Sequence, residues 1–558
     1  MMERPGGSNS RDNGGNVYQR MFNSQQNSVI PGLVCLMVAI ALERITFYIV
    51  TGNMTNFFVK VVKVNESDVD VTAYLVFSGS SYFFPLLGGM LGDLMISRYV
   101  CTLIGFLIEA VGSIFLLVLS IIIDDTTKLT TRELEYGMVS AGLTLMAIGQ
   151  GFHRTNILAL GCKQLGKQTD QTKNLKAVEK FFRGYYWVTN VGALIAQIIL
   201  SVTEISQKES KQEPVYYLQY LAIVQTVTVF LGAFFIIVGK RWFIRTTPNV
   251  ENLRKLSRSF FRKIRFMCRC FRQNRANFSL SSQLSERKDE DEVSTHVFKN
   301  LLVTSGLIMF GIIYFLETGD IFFNQGKKMD YTIKNETIPL QLLLGFEAFT
   351  IVLVLPVIHF LITPFLAIPL LKQMGLGLLF GLASALTCGI VEAVRVNQSC
   401  SQPCFSIFLQ VPQFVFLSLA EIFARIANFV FSYCESPPDM EGLFLGMAFC
   451  LFGFGSYMAR IIVLIVDAVQ ESWYPSDFDE GEVWKFLFLL AGLQLLFFFI
   501  FAWYAYHYPY KYLYKETEES SVRSPLLRGA VQSEMYDTFT SIESASVNSI
   551  DSSAASES

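Results

Sequence analysis

Apolar runs long enough to cross a bilayer recur about twelve times along this chain. A transmembrane helix needs roughly 20 such residues. The runs lie near 31–58, 72–92, 100–123, 138–160, 182–203, 215–238, 298–318, 339–368, 375–394, 407–431, 443–467 and 484–507. Residues are 52% hydrophobic and only 16% charged, too little charge for a soluble globule of this size. The sequence therefore predicts an all-α polytopic membrane protein. The run 339–368 holds Pro356 and Pro364, so a kink or tilt is expected there.

Basic residues orient the spans. Residues 240–276 hold twelve Lys/Arg and one acid, Glu251, and the loop between spans four and five is also basic. The positive-inside rule puts both loops in the cytoplasm, and both termini with them. Three sequons, at Asn65, Asn335 and Asn397, then fall in outer loops and are candidate glycosylation sites, whereas the one at Asn277 falls inside. Cys400 and Cys404 flank an outer loop, which permits a local disulfide. The other cysteines are scattered, mostly in apolar runs, with no metal-type cluster.

The segmentation is a polar N-terminal tail (1–28), a six-span bundle (29–239), a basic then acidic linker (240–297), a second six-span bundle (298–507) and a Ser/Glu-rich tail (508–558). The polar start lacks a cleavable signal peptide, so the first span is expected to direct insertion. The basic stretch 254–275, read as an amphipathic helix, suits the anionic inner leaflet. Nucleic acid is a poor partner for a membrane-tethered loop. Tyr536 to Phe539 has the spacing of a tyrosine-type sorting signal, a pattern common by chance. Two bundles joined by a linker suit alternating access, in which one half rocks against the other around a central site.

The spans keep charges that cost roughly 2.5–3.5 kcal/mol each at mid-bilayer on insertion scales. Glu43, Arg44, Glu109, His153, Arg154, Glu317, Glu347, Glu421, Arg425 and Arg460 all lie in apolar runs. A set spread over both halves predicts a polar central cavity. Glu109, Arg425 and Arg460 are read instead as interhelical clasps or interfacial residues. Neighbours on a helix diverge by about 100°, so Glu43 and Arg44 need not pair. No span shows the charged stripe of a pore. No HExxH, GxSxG or paired-aspartate signature is present, so an enzyme is not expected.

The segment GGMLGDLMISRY (88–99) resembles the cytoplasmic loop motif of the major facilitator superfamily, with Asp93 and Arg98 as its gate charges. Four further segments, 149–165, 181–196, 315–330 and 420–440, resemble successive motifs of the proton-dependent oligopeptide transporter family, in animals solute carrier family 15. The resemblance runs from about residue 31 to 507 and implies the major facilitator fold of twelve helices in two six-helix bundles. It implies a secondary transporter importing small peptides or amino acids such as histidine, with protons as coupling ions and no other cofactor. The oligomeric state is monomer by default, and the membrane is the plasma or the endolysosomal one.

By this resemblance Arg44, Tyr48, Arg154, Asn190, Glu317, Glu347 and Glu421 bind substrate, and Glu43, Glu317 and Glu421 serve proton coupling. The substrate carboxylate would sit near Arg44 and Arg154, and its ammonium near Glu421, whose other natural partner is Arg154. The chain also departs from the family. The first glutamate of the Glu-x-x-Glu-Arg motif is Ile40, the second glutamate of the span-ten motif is Val430, and the acid after the span-four motif is Lys163. The usual span-eight asparagine is Glu347, and the span-four lysine is Arg154. Three outcomes stay open: coupling through Glu43, Glu317, Glu347 or Glu421; transport of this or another small solute without tight coupling; or a scaffold or sensor that no longer transports.

Overall fold

A computed structural model describes residues 13–60, 72–124, 131–165, 171–210, 214–244, 247–248, 251, 294–333, 336–362, 368–397, 405–475 and 478–510. Asn65, Asn335, Cys400, Cys404, the basic stretch 254–275 and the tail signal lie outside these residues. The described residues up to Tyr508 form one compact unit. Of the second, Pro509–Ser558, only Pro509 and Tyr510 are described.

Twelve long helical segments carry the fold among the described residues. The first half holds α1 (Asn13–Lys60), α2 (Thr72–Leu94), α3 (Arg98–Asp124), α4 (Arg132–Gln164), α5 (Gln171–Ser210) and α6 (Pro214–Gly239). The second holds α7 (Leu307–Lys327), α8 (Leu340–Leu361), α9 (Leu370–Asn397), α10 (Ile407–Cys434), α11 (Glu441–Val469) and α12 (Val483–Tyr506). Eleven are apolar enough to span a membrane. The other is α4, whose buried Gln150, His153, Arg154 and Asn156 lower its hydropathy. Large apolar side chains such as Val111, Phe234 and Phe499 face outward, as lipid contact requires. A two-residue hairpin, Thr332–Ile333 with Glu336–Thr337, decorates the α7–α8 loop.

Helices pack mostly within each half. In the first, α3 lies on α4 and α6, and α1 on α5 and α6; in the second, α12 lies on α9, and α11 on α7. The halves meet chiefly through α2 with α11 and α5 with α8. Missing side chains permit the closest approaches. A Cβ on Gly88 would lie 2.3 Å from the Gly151 carbonyl oxygen of α4, and one on Gly89 would lie 2.1 Å from the Gly442 carbonyl oxygen of α11. α2 is thus wedged between both halves. The end where α1 starts and α12 finishes is termed the tail end, and the other the loop end.

Among the described residues three helices contain a π turn: Glu317–Ile321 in α7, Ile358–Ile362 at the close of α8, and Glu421–Arg425 in α10. Such turns insert a residue into the helical ladder and concentrate at functional sites. The α8 turn follows Pro356, which removes a backbone donor from the helix. At the loop end, Asp479 sits 2.9 Å from Lys328 and 2.5 Å from Arg395. Burial raises its pKa, but these two cations hold the carboxyl below the ordinary aspartate range.

The Gly89 contact yields a first prediction. Gly89→Val drives a side chain into the backbone of α11, where nothing flexible can yield. It should lower stability by about 1–3 kcal/mol, read as earlier thermal unfolding of the detergent-solubilised protein. Gly137→Val, where a Cβ meets nothing within 4 Å, is the control and should leave unfolding unchanged. Equal shifts in both would contradict the packing.

Candidate functional site

Six buried polar groups cluster in the first half. Arg44 Nε donates to Glu43 Oε2 at 2.5 Å, and its Nη2 donates to Glu43 Oε1. The sequence does not require this adjacent pairing, and the structure makes it. One turn earlier, where a carboxylate could face Arg44, stands Ile40, buried and apolar. Arg154 Nη2 lies 3.7 Å from Glu43 Oε1 and donates to Gln150 Oε1 at 3.1 Å. Arg154 Nη1 donates to the Ser81 carbonyl at 3.3 Å, while its Nε has no partner. Both guanidiniums lie over the Phe47 ring, at 4.8 and 4.7 Å from its centroid. Behind them, His153 Nε2 lies 2.9 Å from Glu109 Oε2, and Gln150 Nε2 donates to Glu109 Oε1 at 3.0 Å.

In the second half, Arg425 Nη1 donates to Glu421 Oε1 at 2.6 Å. This corrects the expectation that Glu421 would face Arg154. Its partner is one turn away on the same helix, across the π turn. Arg425 clasps helices together, as expected: it is buried, donates to the Tyr82 hydroxyl of α2 at 3.3 Å and lies 4.1 Å from the Phe452 centroid of α11. The Tyr82 ring of α2 thus touches cations from both halves, Arg154 at 4.9 Å and Arg425 at 5.3 Å. Glu347 of α8 stands beside Glu421.

A cavity of about 280 Å³ lies next to these centres, in the loop-end part of the bundle. That is near the small end of ligand sites, which run about 300–1,000 Å³. Phe47, Tyr48 and Tyr82 line it, so Phe47 and Tyr82 stand between the space and Arg44 and Arg154, neither of which lines it. Its lining also includes Glu347, Gln197 and Gln341, each with an unpartnered Oε1, and Lys327, which is exposed. Three free acceptors around one space suit a ligand rich in donors. The sequence reading missed Gln197, Gln341 and Lys327, because neutral amides and a helix-end lysine leave no charge anomaly in an apolar run.

Of the seven expected substrate contacts only Tyr48 and Glu347 line this cavity; Arg44, Arg154 and Glu421 stand next to it, and Glu317 and Asn190 turn to other partners. Glu317 is fully buried against α9, where Ser384 Oγ donates to its Oε2 at 2.7 Å, and its Oε1 has no partner. Asn190 donates to the Tyr186 carbonyl at 2.9 Å on its own helix. Asn397 is exposed at the loop end of α9. Glu392 was not expected: buried in α9, it binds Arg395 at 2.8 Å and accepts from Gln325 at 2.9 Å.

The tail end is sealed by ions. Arg98 Nη2 donates to Asp93 Oδ1 at 2.6 Å and to Glu441 Oε2 at 2.5 Å. Asp93 Oδ2 accepts the backbone N–H of Leu443 at 2.8 Å, so it caps the start of α11. Lys163 closes the set on Glu441 Oε1 at 2.6 Å. Positive charge at 163, where the resembled family carries an acid, thus meets an acid on the facing helix. Arg183 of α5 adds a donation to His359 Nδ1 of α8 at 3.2 Å.

Cys162 lies buried behind this seal. Glu441→Gln removes the charge that holds Arg98 and Lys163, each bond to a charged group contributing about 1.5–3 kcal/mol. Labelling of Cys162 by an impermeant maleimide from the tail side should rise about tenfold or more. Cys162→Ser supplies the blank. Unchanged labelling would contradict the seal.

Residues 99–479 match the POT family, PTR2. Solute carrier family 15 member 3 of Rattus norvegicus is 26% identical over 530 residues, covering 81% of this chain and 87% of that protein. Protein NRT1/PTR FAMILY 8.2 of Arabidopsis thaliana is 24% identical over 519 residues, covering 82% and 89%. The crystal structure of an auto-inhibited POT family peptide transporter shares the fold, with a TM-score of 0.61 at 17% identity over 86% of this chain and 97% of that one. The chain therefore belongs to the POT family and is a multi-pass membrane transporter rather than an enzyme.

Proposed function

We propose that the protein imports a small zwitterion, a di- or tripeptide or an amino acid such as histidine, together with protons by alternating access. The observation that carries this reading is the ring of free acceptors on Gln197, Gln341 and Glu347 around the cavity. An ammonium offers three donors and one charge, which matches that set. The substrate carboxylate then points toward Arg154, whose Nε lacks a partner. Phe47 and Tyr82 must shift for the two to meet. Membership of the POT family supports the reading, as does a structural relative described as a peptide transporter.

The tail end, cytoplasmic by the positive-inside rule, is closed in this state, and the cavity lies toward the loop end. Import then requires Arg98 to leave Glu441 while α1, α2, α7 and α8 close at the other end. Two links already cross there: Gln341 Nε2 donates to the Gly52 carbonyl at 3.1 Å, and the Tyr74 and Thr318 hydroxyls lie 3.3 Å apart. A second reading, an uncoupled facilitator, draws on Ile40, which leaves the first helix one carboxylate short.

Reconstituted protein should take up labelled dialanine or histidine, faster with an acid exterior, and Arg154→Ala should abolish uptake. Saturable uptake without pH dependence would select the facilitator. Glu347→Gln keeps the shape but cannot carry a charge against a bound ammonium, so KM should rise about ten- to a hundredfold, the size of one charged hydrogen bond. An unchanged KM would remove Glu347 from the binding site.

A further inference from the structure

The family-like motif on α1 lacks its first carboxylate, yet a second acid–base pair stands beside it. His153 Nε2 lies between two carboxylates, 2.9 Å from Glu109 Oε2 and 4.0 Å from Glu43 Oε1. All three groups are buried. The site is built rather than incidental. A Cβ on Gly105 would lie 2.8 Å from the His153 backbone nitrogen, and one on Gly149 would lie 2.6 Å from the Glu109 nitrogen. Two missing side chains thus let α3 and α4 close until ring and carboxyl meet. Phe106 stacks on the imidazole, at 4.5 Å between centroids and 20° between planes, and holds its orientation. Gln150 fixes the other Glu109 oxygen and also accepts from Arg154.

From this geometry we infer that His153 is the proton carrier of the transport cycle, relaying between Glu109 and Glu43. The inference rests on the proton-coupled reading above. Glu109 of α3 and Glu43 of α1 are the ionisable groups facing the ring. Arg44 of α1, Arg154 of α4 and Tyr185 of α5 stand around Glu43, and Tyr82 of α2 lies against Arg154. The same three ligand-type groups could approach a metal ion, but Arg44 and Arg154 already supply the positive charge there.

The step balances on one proton. Protonated Glu109 breaks its Oε2–H bond as His153 Nε2 forms an N–H bond; that bond then breaks as Glu43 Oε1 forms an O–H bond, leaving Glu109 a carboxylate and the imidazole neutral. Neutral Glu43 no longer compensates Arg44 and Arg154. Their charge then falls to the substrate carboxylate, so proton and substrate favour each other's binding. Loss of that proton from Glu43 to the tail side, once Arg98 has left Glu441, restores the Glu43 pairs and expels the carboxylate. A carrier on α4 thereby replaces the group that Ile40 cannot provide.

The test compares His153→Gln with wild type in liposomes, using labelled dialanine and histidine. Proton-driven uptake is measured under an acid exterior, and counterflow under equal pH on both sides. The ratio of the two should fall about tenfold or more in the variant, with a flat pH profile. Glu109→Gln should reproduce the flat profile if His153→Gln fails to fold. A variant that keeps the wild-type pH profile would overturn the role of His153 alone. A wild type with counterflow but no pH dependence would overturn both this inference and the proton-coupled reading.

Discussion

The contact of Glu43 with Arg44 and Arg154 is the constraint on which the rest of the structure depends. Ions taken out of water are costly, and an unpaired one in a bundle surrounded by lipid is costlier than a pair. Glu43 is held by two cations, and Arg154 spreads its own contacts over α1, α2 and α4. Each partner lost leaves a buried charge behind. Such a cluster is stable only if every withdrawal is matched by an arrival, from a proton or from a charged solute. The same physics accounts for Arg425, which is satisfied by Glu421, Tyr82 and the face of Phe452.

Tyr82 makes the two clusters one system. It sits on α2, the helix that glycines press against both α4 and α11. Any rocking of the halves must slide α11 along α2 and alter how Arg425 meets the Tyr82 hydroxyl. The seal at the tail end uses the same pair of helices, with Asp93 of α2 capping α11. The ion pairs at the tail end and the central charges thus share one helix, α2, through Asp93 and Tyr82.

Much of this was legible from sequence because hydropathy and charge are local properties. The spans, the basic loops and the intramembrane charges all show in a sliding window. α4 shows the limit: its buried polar groups make it the least membrane-like helix while placing it at the centre. Partners between helices were not legible. The Glu421–Arg425 pair has the i,i+4 spacing that a sequence can show, whereas Glu441 meets Lys163 and Arg98 only because α11 folds back onto α2 and α4. Glu317 shows the converse. It lies at a family position with the right chemistry, yet it packs against Ser384 rather than in the cavity. The amides Gln197 and Gln341 became visible only when folding left their oxygens without partners beside a common space.

The central claim is that the halves alternate about this charged centre. Spin labels on exposed residues of both halves test it directly, in cysteine-substituted protein in lipid nanodiscs. Met95 and Phe298 report the tail end, and Tyr216 and Val469 the loop end; all four side chains are exposed. Addition of dialanine at acid pH should lengthen the first distance and shorten the second in the same molecules. Distances that change in the same direction, or stay fixed while the solute is bound, would contradict the account.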